Sequence, residues 1–191
     1  MFVLAAVVLG LVVVRTWFLQ GYTTVSRSME DTLWLGDSVI VEKSTHLVET
    51  GEVILFQSPE DSEHNFLKRC IAVAGQRVEI RDKVVFIDGE RLPDPRFSKY
   101  LDARILPPTR GERDNLSARI VPPGHLFVMG DNRDNSRDSR HWGFLSTEAL
   151  MGRAVRIYFS AEPAAEGMGL IDRLTSLAGR IRWQRLGSEV R

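Results

Sequence analysis

Residues 2–14 form an unbroken apolar run, and after Arg15 and Thr16 the apolar character resumes at Trp17, Phe18 and Leu19. Beyond that point the pattern changes to short stretches in which apolar and polar positions alternate: 38–42, 52–57, 65–73, 77–80, 84–87, 126–129 and 154–159. Alternation at period two places successive side chains on opposite faces of a half-buried strand. Asp88-Gly89 between two such runs predicts a tight hairpin turn. No helical period of useful length interrupts these segments, so the fold class is mainly β: antiparallel sheets or a distorted barrel. Residues 92–123 hold most of the prolines and many charges, and read as an irregular insertion between strands.

The two ends differ from this middle. The amino-terminal run is short against the roughly 20 apolar residues of a typical span. Arg15 can snorkel, however, and Trp17 and Tyr22 suit a membrane interface. No Lys or Arg precedes the run and no small-x-small site follows it, which favours an anchor over a cleaved leader. The expected organisation is an anchor at 1–20, a β-rich domain at 21–160 and a tail at 161–191. In the tail, Leu170, Ile171, Leu174, Leu177, Ala178 and Ile181 recur at helical spacing among Arg173, Arg180, Arg182 and Arg185. That is a basic amphipathic helix, able either to lie on an anionic membrane surface or to pack on the protein.

Composition removes several function classes. A formal net charge of zero, without a recognisable helix-turn-helix, zinc-finger or aromatic-basic pattern, argues against nucleic acid as a partner. The single cysteine, Cys70, excludes an internal disulfide and a CxxC site. His46, His64, His125 and His141 lack metal-ligand spacing, so neither metal nor cofactor is expected.

Candidate chemistry lies in three places. Ser26-Arg27-Ser28-Met29-Glu30-Asp31-Thr32-Leu33 follows the anchor. In the strand at 65–73, Lys68 shares a face with Phe66, Cys70 and Ala72, while Arg69 points the other way. A lysine among apolar neighbours loses proton affinity, because desolvation penalises the ammonium, and can become the base that a serine hydroxyl needs. Residues 130–143, Gly-Asp-Asn-Arg-Asp-Asn-Ser-Arg-Asp-Ser-Arg-His-Trp-Gly, read as a rigid loop held by its own side chains.

In this order, the three segments resemble the type I signal peptidases, membrane serine proteases that remove leader peptides from exported proteins. The resemblance runs from Val25 to Gly143, with the anchor in the family's place. It implies Ser28 as nucleophile and Lys68 as general base. It further implies the Ser28 main-chain N–H and the Ser26 hydroxyl as oxyanion donors, and Ser136 as the residue orienting the lysine. Asp138 and Arg140 become a supporting ion pair, and Met29 and Leu67 line a shallow pocket. The implied partners are preproteins with small residues at the first and third positions before the cut, together with membrane lipid. The implied location is a bacterial cytoplasmic membrane, with the catalytic domain on its outer side. The chain departs from the family where many members carry Pro at Asp31 and Ala74, Tyr or Phe at His141, and a small residue at Arg27. Preprotein preference and oligomeric state are not legible in the sequence.

Competing readings are a Ser-His-Asp hydrolase using His141 and Asp138, with His125 as a second candidate base, and a Cys70 nucleophile. A membrane-tethered β module without enzymatic activity is a third, and it predicts that Ser28→Ala and Lys68→Ala are harmless.

Overall fold

The computed structural model describes residues 19–43 and 47–190. The apolar run at 2–14, the rest of the expected anchor up to residue 18, and His46 lie outside the described residues. Among the described residues no helix is long and apolar enough to cross a membrane.

Among the described residues, eleven strands form two antiparallel sheets. The larger contains β1 (Leu19–Thr23), β2 (Asp37–Glu42), β3 (Val53–Gln57), β4 (Asn65–Val73), β9 (His125–Met129), β10 (Leu145–Ser146) and β11 (Leu150–Ser160), in the spatial order β1-β2-β11-β3-β4-β9-β10. This sheet is strongly curled. β1 and β4 stand four places apart, yet the Tyr22 hydroxyl on β1 donates to the Asn65 carbonyl on β4 at 2.5 Å. The concavity is filled by Met29, Leu33, Val39, Leu55 and Leu67, all nearly inaccessible. The smaller sheet, in the order β7-β6-β5-β8, contains β5 (Arg77–Arg81), β6 (Val84–Ile87), β7 (Glu90–Arg91) and β8 (Leu116–Ile120). Its buried face packs on Ile71, Phe127 and Met129 of the larger sheet.

The alternating runs all became strands, and β4 and β6 match their expected bounds. Asp88 and Gly89 form the two-residue turn between β6 and β7, both with positive φ. Three features differ from expectation. The insertion at 92–123 contains a strand, β8, whose alternating Leu-Ser-Ala-Arg-Ile buries only Leu116 and which pairs at the sheet margin. β1 begins at Leu19, within the stretch assigned to the anchor. A bulge in β4 between Cys70 and Ala72 reverses the alternation, so that Ala72 joins the core beneath the small sheet while Phe66 and Cys70 stay on the Lys68 side.

The tail also departs from a single amphipathic helix. It forms two short helices, Leu170–Thr175 and Leu177–Arg180, and then runs back along the larger sheet, pairing Ile181 with Ala161 and Glu189 with Arg156. Two of the arginines expected on its polar face turn inward. Arg185 donates to Oδ2 of the fully buried Asp37 at 3.0 and 2.5 Å and to its Oδ1 at 3.2 Å, and Arg182 reaches Oδ1 at 3.3 Å. A buried carboxylate is costly to leave unpaired, so these arginines hold the tail on the protein more firmly than an exposed ion pair could.

Candidate active site

Ser28 stands in the 24–36 loop between β1 and β2, whose base is closed by Thr24 N–H donating to Asp37 O at 2.7 Å and Gly36 N–H to Thr24 O at 2.9 Å. Within it, Leu33 N–H donates to the Met29 carbonyl at 2.7 Å, forming a tight turn that buries Met29 and leaves Ser28 half-accessible. Lys68 lies on β4 directly opposite Ile54 of β3, near the Phe66 ring. The curl of the sheet brings these segments together, and Lys68 Nζ and Ser28 Oγ are hydrogen-bonded across forty positions of sequence.

Lys68 is only 3% exposed. Burial lowers its pKa from 10.5 to about 8, against the attraction of the Asp138 carboxylate and with the help of the Arg140 guanidinium. A substantial neutral fraction therefore exists close to physiological pH. Ser26 Oγ donates to Ser28 Oγ at 2.9 Å and accepts the Ser28 main-chain N–H at 3.1 Å. Both expected oxyanion donors thus stand beside the Ser28 hydroxyl and face each other. A carbonyl oxygen entering between them would take over both hydrogen bonds.

The remaining expected residues fall around this centre. Asp138 and Arg140 form a two-pronged, buried ion pair, 2.8 and 2.9 Å. Burial disfavours the Asp138 carboxylate, but Arg140 outweighs it and holds the pKa down at about 2. Ser136 is not joined to Lys68. Its buried Oγ adds to the field on the Asp138 carboxylate without completing a hydrogen bond, and it sits against Gly130. Met29 and Leu67 line a narrow cleft beside Ser28, shared with Val25 and Phe66. Its cavity of about 20 Å³ admits a methyl-sized group and nothing much larger.

The competing residues stand apart from this chemistry. His141 receives the Asp138 main-chain N–H through Nδ1 at 3.4 Å, completing the cap of a four-residue helix, Ser139–Trp142, where only a loop was expected. Desolvation pulls its pKa below 6.5. His125 Nδ1 is engaged by the Pro123 carbonyl region at 2.9 Å. Cys70 is fully buried, and burial pushes its pKa up to about 12, so no thiolate is at hand.

The residues that sequence reasoning missed are those tying the signature loop to the turn that carries Ser28. Asp131, completely buried, accepts from Arg69 (2.8 and 2.6 Å) and from the Thr32 hydroxyl at 2.5 Å. Asn132 donates its main-chain N–H to the Ser28 carbonyl at 3.0 Å and its side-chain amide to the Arg27 carbonyl at 3.2 Å. The loop is held by its own side chains, as expected, through Asp138 to Arg140 and to the Gly130 N–H. It is also a hub: Asp134 takes Lys83 at 2.9 Å, Arg137 takes Glu60 at 2.5 Å, and Asp131 and Asn132 take the Ser28 turn. The density of Asp, Asn and Arg in the loop was the available signal, but composition does not name distant partners.

This arrangement coincides with a known family. The family described as signal peptidase, peptidase S26, matches residues 1–159. The chain belongs to that family. A probable signal peptidase I-1 of Synechocystis sp. is 40% identical over 146 residues, covering 71% of this chain and 69% of that one. Signal peptidase I of Bacillus caldolyticus is 30% identical, covering 73% and 79%, and that of Aquifex aeolicus is 28% identical, covering 82% of each. For this peptidase S26 member, the departure at Asp31 has a structural counterpart. Its φ is +79°, a left-handed conformation closed to the proline ring. Asp31→Pro should therefore lower stability by about 2 kcal/mol or more in thermal unfolding, instead of rigidifying the turn.

Proposed function

We propose that this chain is a membrane-bound serine endopeptidase that removes amino-terminal signal peptides from exported preproteins through a Ser28/Lys68 dyad. The observation that carries the reading is the hydrogen bond between a serine hydroxyl and a lysine amine that is almost wholly out of water. Neutral Lys68 takes the Ser28 proton as Oγ attacks the scissile carbonyl. The Ser28 N–H and the Ser26 hydroxyl receive the developing oxyanion. Lys68 then returns the proton to the leaving amine, and water, activated by the same amine, hydrolyses the acyl-enzyme. Asp138 and Arg140 keep the loop beside Lys68 in place, and the 20 Å³ cleft selects small residues before the cut.

In this reading residues 1–20 anchor the enzyme in the bacterial cytoplasmic membrane, with the β-rich unit on the outer side. The precursor lies as an added strand along the Ser26–Ser28 segment. No cofactor enters the mechanism.

The test is cleavage of a precursor with alanine at the first and third positions before the cut, using the full chain in detergent. Wild type should cleave, and Ser28→Ala should not. Ser26→Ala should lose about 10²-fold in kcat, as expected for one oxyanion donor, while His141→Ala keeps most activity. Because the amine must be neutral, kcat/KM should rise about tenfold per pH unit below the Lys68 pKa of about 8 and level off above it. A flat profile from pH 6 to roughly 9 would exclude Lys68 as the base.

A further inference from the structure

We infer that Lys99 is a positioning residue for Ser28, delivered from the insertion at 92–123 to hold the turn that carries the nucleophile; this rests on the dyad reading above. The main chain of Lys99 is threaded beside the signature loop. Its N–H donates to the Asp131 carbonyl and its carbonyl accepts the Arg133 N–H, both at 2.9 Å, in a parallel bridge with Asn132. From that fixed point the ammonium reaches the Glu30 carboxylate at 3.1 Å and the Asp31 carboxylate at 3.3 Å.

Both acids lie within three residues of Ser28, in the turn closed by Glu30 N–H donating to the Arg27 carbonyl at 3.1 Å. Glu30 also accepts from the Asn132 side chain at 3.3 Å, and that residue's main chain holds the Ser28 carbonyl. Lys99, Asn132 and the 27–31 turn thus form one closed knot. Asp31 sits in the left-handed region, which a residue with a side chain keeps only when its surroundings enforce it. The paired Lys99 ammonium supplies such enforcement. The Lys99 and Glu30 side chains are 25% and 30% exposed, so the pair is shielded from solvent more than an ordinary surface contact. What Lys99 would set is the direction of the Ser28 N–H and Oγ, and therefore the rate of the chemical step more than the binding of substrate.

The experiment compares the full-length protein in detergent with Lys99→Met, Lys99→Arg and Glu30→Gln/Asp31→Asn, using the precursor assay above. Lys99→Met should lower kcat about tenfold with KM changed by less than about twofold. Lys99→Arg should recover most of that loss, and Lys99→Met should have no further effect once both carboxylates are amides. A wild-type kcat for Lys99→Met overturns the proposal, as does a loss confined to KM or one that persists undiminished in the Glu30→Gln/Asp31→Asn background. Ser28→Ala and Lys68→Met are assayed alongside. Activity in those two removes the dyad reading, whereas their inactivity together with a fully active Lys99→Met removes only the role of Lys99.

Discussion

On the proposed dyad, Lys68→Met should yield a folded protein that no longer cleaves precursor and that unfolds at a higher temperature than wild type. The loss of activity follows from removing the proton acceptor bonded to Ser28, and by analogy with other activated serines it should reach about 10⁴-fold or more. The gain in stability follows from the same burial. Folding shifts the amine from a pKa of 10.5 to about 8, a penalty on the order of 3 kcal/mol when the unfolded chain is protonated. The sign is as follows: between about 8 and 10.5 the unfolded state binds more protons than the folded state, so wild-type stability rises with pH across that window. Below it the full penalty is present. Methionine has nearly the same volume and no charge, so its advantage is largest at neutral pH, fades between about 8 and 10.5 and is gone above the unfolded pKa. After the lost hydrogen bond to Ser28, a rise in Tm of roughly 3–8 °C is expected for a chain of this size. A variant that melts lower than wild type at pH 7, or one that keeps activity within about tenfold, would mean that the amine is neither dry nor the base.

Gly130→Ala is the second large effect, and its cause is space, since Gly130 has an ordinary backbone conformation. A Cβ at this position would come within 2.5 Å of the Ser28 carbonyl oxygen and 2.6 Å of Ser136 Cβ. Neither neighbour can swing away easily. The Ser28 carbonyl is held by the Asn132 N–H at 3.0 Å, and Gly130 itself is held through its N–H to Asp138 at 3.0 Å. The strain must be relieved by separating the signature loop from the nucleophile's own peptide, which turns the Ser28 N–H and Oγ out of line. The expected result is a fall in kcat of about 10²-fold or more from a displacement near 1 Å, with a stability loss of only about 1–3 kcal/mol. Gly179→Ala serves as the control, because a Cβ there meets nothing within 4 Å. Equal kcat for the two variants would show that the close approach at Gly130 has no bearing on the reaction.

Local pattern carried much of the site. Period-two alternation identified β4 and put Lys68 on its apolar face beside Phe66 and Cys70, because a strand's geometry is set by its own residues. The same rule misplaced Ala72, since the bulge that moves it arises from pairing with β9. The turn at Asp88-Gly89 was legible for the same local reason, whereas the turn at Asp82-Lys83 was not. There a lysine adopts φ +70°, and its ammonium is bound to Asp134, a partner fifty-one positions away. The tail arginines show the limit most clearly. Their spacing reads as the polar face of a helix, but Asp37 inside the protein attracts them more strongly than water does.

The sequence by itself determined which residue types were available: a serine in a polar turn, a lysine embedded among apolar positions, and a loop rich in groups able to bind peptide. Their meeting was decided by tertiary structure. Only the curl of a seven-stranded sheet carries β1 around to β4, and only the docking of residues 99 and 130–133 against the 27–31 turn aims the hydroxyl. Those contacts join segments separated by 40 to 105 positions. Their free energy comes from burial and from pairing charges out of water, and no local periodicity encodes that term.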